Sequence, residues 1–169
     1  VTGLERLNAL SVDEAAAELL TCCGSRRWAR EMALRRPFAS VDRLLAMADE
    51  VWWALDPADW DEAFAAHPRI GERKAAPAQG ERAAAWSRDE QSGAASAGED
   101  VAAALAKGNA EYERRFGRIY IVCATGKSAA EMLAILRERL SNDPATELRA
   151  AAGEQAKITR LRLIKLLAE

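Results

Sequence analysis

The chain carries one histidine, His67, within His67-Pro68-Arg69-Ile70-Gly71-Glu72. An imidazole, with an ordinary pKa of about 6.5, can give or take a proton near neutral pH. Pro68 restricts the residue before it to extended conformations, and Gly71 permits a turn that other residues resist. A loop stiffened in this way can aim the ring; the plainer alternative is a surface histidine with a local hydrogen bond. A second cluster is Ser87-Arg88-Asp89-Glu90-Gln91-Ser92-Gly93. Ser87 followed by Glu90 fits a capping box at a solvated helix start. Ser87, Glu90 and Gln91 could equally turn their polar ends into a cleft, where they would suit a ring rich in N–H and C=O groups. The third candidate is Arg162 in Ile158-Thr159-Arg160-Leu161-Arg162-Leu163. Arg162 lies one helical turn after Ile158 and shares its face, near Leu161 and Ile164 or Lys165, while Arg160 points elsewhere. Two surface arginines are the bland reading. An inward Arg162 would await an anion, since an unpaired buried charge is costly.

Other reactive residues suggest less. Cys22-Cys23-Gly24-Ser25 reads as small residues packed at a helix junction rather than as a redox site. Cys22, Cys23 and Cys123 make no disulfide framework, and with a single histidine they match none of the usual zinc spacings. No Gly-rich phosphate loop is present, so neither a metal nor a cofactor is expected. The five tryptophans, Trp28, Trp52, Trp53, Trp60 and Trp86, are expected in the core rather than as a ligand platform. With 24 basic and 26 acidic residues the net charge is −2, which offers no basic field for nucleic acid. No stretch approaches the roughly 20 apolar residues that span a bilayer. Neither a secretory leader nor a peroxisomal address at Leu167-Ala168-Glu169 is visible, and the cytoplasm is the expected location.

The elements that must position these residues read as helices. Alanine is abundant and β-branched residues are scarce, a mix that favours helix over strand. Ser11 with Glu14 makes a capping box, and Gly24 marks the expected end of that helix. Ser25 opens the next, which Pro37 terminates. Ser40 opens a third, with Leu44, Leu45, Ala48, Val51, Trp52 and Leu55 on one stripe. Asp56-Pro57 begins a short helix that stops near His67-Pro68. Residues 67–80 read as a loop. A helix over Glu81–Trp86 follows, with Ser87 placed to cap a new segment. Glu99–Phe116 is strongly helical and ends on Gly117. Ile119–Ala124 is the one strand-like run; it is too short and too isolated to build a sheet, so an extended buried segment is expected. Ser128 with Glu131 opens a helix to about Leu140, and Asp143-Pro144 begins a final helix or helix pair. With no internal repeat and no dividing linker, residues 1–169 are expected to form an all-α, single-domain bundle of roughly seven to nine helices.

Taken in order, Cys22-Cys23-Gly24-Ser25, Trp28, Arg36-Pro37-Phe38, His67-Pro68-Arg69-Ile70-Gly71, Ser87 with Glu90-Gln91, Phe116-Gly117, Ile121-Val122-Cys123-Ala124 and Leu161-Arg162-Leu163 resemble one family, the OHCU decarboxylases. These enzymes act on 2-oxo-4-hydroxy-4-carboxy-5-ureidoimidazoline. The resemblance runs from about residue 10 to 167, and no key position departs from it. It implies an all-helical, cofactor-free enzyme of urate breakdown that yields (S)-allantoin, and it is compatible with a homodimer. It implies that His67 and Glu90 are catalytic, with His67 as the motif's proton donor. It also implies that Pro68, Ser87, Arg88, Asp89, Gln91, Ile119, Tyr120, Ile121, Val122, Cys123 and Arg162 line the substrate, partly through backbone groups. Two other readings stay open from the residues alone: a non-enzymatic helical interaction module, and a different cofactor-free enzyme of small ureide rings such as a hydrolase.

Overall fold

The computed structural model describes residues 1–71, 80–95 and 97–169, without the side chain of Ala95. Glu72 and the 72–79 part of the expected loop lie outside the described residues. Among the described residues there are ten helices and no strand. They are α1 (Gly3–Ala9), α2 (Val12–Leu20), α3 (Arg26–Leu34), α4 (Val41–Trp53), α5 (Pro57–Ala65), α6 (Glu81–Glu90), α7 (Ser92–Ala95), α8 (Glu99–Phe116), α9 (Ala129–Arg139) and α10 (Pro144–Ala168). The class is all-α as expected, with slightly more helices than anticipated: the one-turn α7 carries little sequence signal, and α1 opens on a Thr2–Glu5 capping box that the sequence reading passed over.

Local chemistry explains most of the boundaries. Ser11 Oγ accepts from Glu14 N–H at 3.1 Å while Glu14 accepts from Ser11 N–H at 3.1 Å. Ser128 and Glu131 form the same reciprocal pair. Ser25 and Ser40 cap α3 and α4 by accepting from Trp28 N–H and Arg43 N–H. Each such cap contributes about 1 kcal/mol. Gly117 ends α8 at φ 73°, the left-handed conformation that only glycine adopts cheaply.

Four local expectations need correction. Helix α2 ends at Leu20 with Thr21 as a right-handed cap, so Gly24 does not terminate it. Pro37 is not the immediate stop of α3, which already ends at Leu34 with Arg35 as cap. Leu55 lies beyond α4 and is only half-buried. Ser87 does not open a helix: α6 runs through it to Glu90, and Ser87 C=O accepts from Gln91 N–H at 3.0 Å inside a continuous ladder. The alanines at 83–85 carry the helix past a residue with only a small propensity penalty. Of the two alternatives for the C-terminal segment, a helix or a helix pair, the single helix holds: α10 runs unbroken for 25 residues. Its buried positions are Glu147, Ala151, Ala152, Gln155, Ile158, Thr159, Arg162, Leu163 and Leu166, whereas Ile164 is 45% exposed.

The described residues form two compact units, Val1–Ala63 with Ala156–Glu169, and Phe64–Gln155. In the first, Leu7, Leu19, Trp28, Met32, Leu44, Trp52, Trp60 and Leu163 are buried. Buried indoles need a partner for their N–H; Trp28 donates to Ala48 C=O at 3.1 Å and Trp60 to Trp52 C=O at 2.9 Å. Trp53 departs from the core expectation at 43% exposed, packing edge-on against Trp60.

In the second unit α8 and α9 pack around Leu105, Tyr112, Tyr120, Val122, Met132 and Leu136. A polar network is embedded there. Glu147, fully buried, accepts from Arg139 Nη2 at 2.5 Å and from Tyr112 Oη at 2.5 Å. Arg139 also donates to Ile121 C=O, and Tyr120 Oη donates to Met132 C=O at 2.9 Å. The run 119–124 is therefore the extended buried segment expected, its backbone held by side chains where a sheet would have used neighbouring strands. No helix among the described residues is long and apolar enough to cross a membrane.

Candidate active site

Helix α5 ends two residues before His67, whose N–H donates back to Phe64 C=O at 3.1 Å. His67 and Pro68 are half-buried. Gly71 has φ 90°, so the conformational freedom expected of it is used. The loop between them is held from three sides within the second unit. Ile70 C=O accepts from the buried Asn109 side chain at 2.9 Å, and Arg69 makes a two-pronged ion pair with Glu113 at 2.8 and 2.9 Å, both from α8. Gly71 N–H donates to Gln91 Oε1 at 3.1 Å. The third support is α10, where His67 Nε2 lies 2.6 Å from Gln155 Oε1.

The Gly71–Gln91 bond joins the two motifs that the sequence singled out separately. Gln91 follows Glu90, the half-buried last residue of α6. Ser87, one turn earlier, is 4% exposed. Arg88 and Asp89, between them, are exposed; on a helix they occupy a different face from Ser87 and Glu90.

The segment Ile119-Tyr120-Ile121-Val122-Cys123 reaches the same neighbourhood through α10. Cys123 N–H donates to Glu154 Oε1 at 3.0 Å, and Glu154 is the neighbour of the Gln155 that meets His67. Two adjacent residues of one helix thus hold the imidazole and the extended segment. Cys123 C=O accepts from Lys127 Nζ at 2.6 Å. Burial raises the Cys123 thiol pKa; Lys127 opposes the rise, while Glu154 and Glu90 add to it. Glu90 therefore lies within electrostatic reach of Cys123. Ile119 is half-buried and Tyr120 to Cys123 are buried. The Tyr120 and Val122 side chains belong to the core cluster, so this segment can offer a ligand little beyond its backbone and Ile119.

Arg162 belongs to the first unit. It is 3% exposed and donates to Thr21 C=O at 3.2 Å, while Arg160 is exposed, the division that helical phase predicts. Cys22 and Cys23 are buried and form no disulfide, in keeping with a packing role. Burial pushes the Cys23 thiol up to about 12, against the lowering influence of Ser25, Thr159 and Arg162.

Sequence reasoning missed Gln155, Glu154, Asn109 and the Arg139–Glu147 pair. Gln155 had a readable signal, since it stands one turn before Ile158 on the stripe that includes Arg162, where a polar residue interrupts an apolar pattern. Glu147 reads as an ordinary first-turn acid, and nothing local marks it as buried. Among the described residues no three His, Cys, Asp or Glu side chains are grouped to hold a metal ion.

Comparison with known proteins assigns the family. The OHCU decarboxylase family model matches residues 8–164. The uric acid degradation bifunctional protein TTL of Arabidopsis thaliana is 37% identical over 153 residues, covering 90% of this chain and 47% of its own length. A 2-oxo-4-hydroxy-4-carboxy-5-ureidoimidazoline decarboxylase of Amia calva is 44% identical over 62 residues, 37% of this chain and 35% of its own. The chain thus spans less than half the length of these relatives. A crystal structure of OHCU decarboxylase in the presence of (S)-allantoin superposes with a TM-score of 0.78 at 38% identity, covering 90% of this chain and 98% of that one. A crystal structure of (S)-allantoin synthase, 18% identical, shares the fold with a TM-score of 0.71 over 99% of this chain and 54% of its own. With a family model spanning nearly its whole length, and with both motifs of the resemblance drawn together by the Gly71–Gln91 bond, the chain belongs to the OHCU decarboxylase family.

Proposed function

We propose that this protein is a carboxy-lyase that converts 2-oxo-4-hydroxy-4-carboxy-5-ureidoimidazoline to (S)-allantoin in urate breakdown, without metal or cofactor. The observation that carries the reading is the Gly71–Gln91 hydrogen bond, which brings the His67 loop to the end of α6 where Glu90 stands.

The chemistry asks little of a cofactor. The substrate carries its carboxylate on a ring carbon next to a C=N bond. When the carbon–carboxylate bond breaks, its electron pair moves toward that imine, whose nitrogen takes up a proton, and carbon dioxide leaves. The resulting enol gives up its hydroxyl proton and gains one at the adjacent carbon, so one proton is consumed overall. The protein must orient the carboxylate across the ring plane, stabilise the charge that spreads into the ring and deliver the carbon-bound proton to one face. His67 and Glu90 share the proton transfers in this reading. Pro68, Ser87, Gln91 and the 119–123 backbone line the ring, with Arg88 and Asp89 contributing through backbone only because their side chains are exposed. Arg162 is assigned to anionic or carbonyl oxygens of the substrate on the strength of the family motif and its burial.

The finer expectations belong to the same proposal. The two units act as one functional domain, since a single family model runs through both. The protein works in the cytoplasm, with the ureidoimidazoline as its small-molecule partner, and as a homodimer. The test of function is the optical decay of freshly generated ureidoimidazoline. The protein should speed the decay and leave one allantoin enantiomer in excess; an unchanged rate with racemic product refutes the proposal.

A further inference from the structure

His67 Nε2 lies 2.6 Å from Oε1 of Gln155, and Gln155 is fully buried in α10. A carboxamide oxygen has lone pairs and no proton to give, so this bond forms only when Nε2 is the donor. We propose that Gln155 is a positioning residue that holds His67 as its Nε2–H tautomer, so that whatever proton His67 exchanges with the reacting ring passes through Nδ1. The exchange of protons with that ring rests on the decarboxylase reading; the tautomer does not.

Three features support the assignment. The first is the choice of an amide. A carboxylate at this place would pair with the imidazolium and hold the ring charged. An amide accepts the same Nε2–H whether the ring is neutral or cationic, so Nδ1 can cycle between acceptor and donor without the ring losing its anchor. The second is placement. Gln155 stands on a helix whose preceding residue, Glu154, binds the Cys123 backbone at 3.0 Å, so the amide is fixed against two segments of the second unit at once. The third is the loop. With Gly71 tied to Gln91 and Ile70 to Asn109, the backbone of the loop is held independently of the ring, and the Gln155 bond acts on the ring itself.

The single histidine makes the test direct. The full chain, labelled with ¹⁵N in histidine, gives one imidazole in a long-range ¹H–¹⁵N correlation spectrum followed across pH. In the wild type the neutral ring should show Nε2 protonated and Nδ1 bare. Gln155→Leu should shift the ring toward a tautomer mixture and lower turnover of the ureidoimidazoline by about 10-fold, the worth of one positioned hydrogen bond, with little change in KM. Gln155→Glu should raise the ring pKa by at least about one unit and carry the pH–rate profile upward with it. A neutral wild-type ring protonated on Nδ1 overturns the proposal, as do variants whose tautomer and pKa match the wild type. If Gln155→Glu fails to fold, the wild-type tautomer and Gln155→Leu decide the matter. A wild-type ring locked as Nε2–H in a protein that leaves the ureidoimidazoline untouched upholds the lock and refutes the decarboxylase reading.

Discussion

Replacing His67 by Asn separates chemistry from stability, and the structure sets both magnitudes. The substitution removes the partner 2.6 Å from a fully buried amide oxygen. Losing one side of a buried hydrogen bond costs about 1–3 kcal/mol. A chain of this size loses about 2–4 °C of Tm per kcal/mol, so the variant should melt about 2–12 °C below the parent. A loop histidine judged from sequence alone would have been expected to leave Tm nearly unchanged; its contact with α10 is the reason for the difference. Domains of this kind hold about 5–15 kcal/mol, so the variant remains almost wholly folded at 25 °C. Turnover should nonetheless fall by about 10²- to 10⁴-fold, the usual cost of removing a general acid–base group. That range equals about 2.7–5.4 kcal/mol of transition-state stabilisation and cannot arise from a small unfolded fraction. The assay pairs calorimetry with stopped-flow decay of the ureidoimidazoline and chiral analysis of the product. The pH–rate transition belonging to the sole imidazole should vanish along with the excess of one enantiomer. Wild-type turnover in a variant that melts lower would show that His67 is a structural tie to Gln155 and no part of the reaction.

Four further outcomes are expected. Glu90→Gln should lose at least about 10²-fold in turnover with an unaltered circular dichroism spectrum, because the half-buried residue at the end of α6 keeps its size and loses only its charge; near-normal turnover would remove it from the mechanism. Arg162→Ala should raise KM by 10-fold or more, about the worth of one charged hydrogen bond, while the exposed Arg160→Ala leaves KM unchanged; equal effects on KM would contradict the assignment. Glu147→Ala should destabilise by about 3–5 kcal/mol in urea unfolding, because it strands the buried Arg139 guanidinium; a change below about 1 kcal/mol would refute the buried Glu147–Arg139 pair. Cys23 bears on alkaline stability. Its folded thiol is pushed up to about 12 by burial, above the ordinary value of about 8.5, so the unfolded chain loses that proton first. The stability it contributes is intact below pH about 8.5 and falls by up to about 1.4 kcal/mol per pH unit toward 12. Cys23→Ala should flatten that part of the alkaline unfolding curve, and an unchanged slope would argue against the shift.

Much of this protein follows from local rules. Ser11, Ser25, Ser40 and Ser128 open helices because a hydroxyl three residues before a bare N–H satisfies it wherever the chain lies in space. Gly117 ends one for an equally local reason, the freedom to take positive φ. The phase of Arg162 against Arg160 follows from 3.6 residues per turn. The His67 and Ser87–Gln91 motifs were legible as residue types able to move protons and bind polar rings. What local rules could not reach were the partners. Ser87 has the spacing of a cap yet sits inside α6, because the alanines before it and the burial of its face outweigh a capping preference of about 1 kcal/mol. Gln155 lies 88 residues from His67, Gln91 20 from Gly71 and Glu154 31 from Cys123. Hydrogen bonds of that separation depend on how helices pack, and packing is set by the summed burial of many side chains. For the same reason Glu147, an unremarkable acid in the first turn of α10, becomes the buried centre that holds Arg139 and Tyr112, and through Arg139 the Ile121 backbone. The imidazole is there to be read in the sequence; only the tertiary fold decided that its Nε2 meets Gln155.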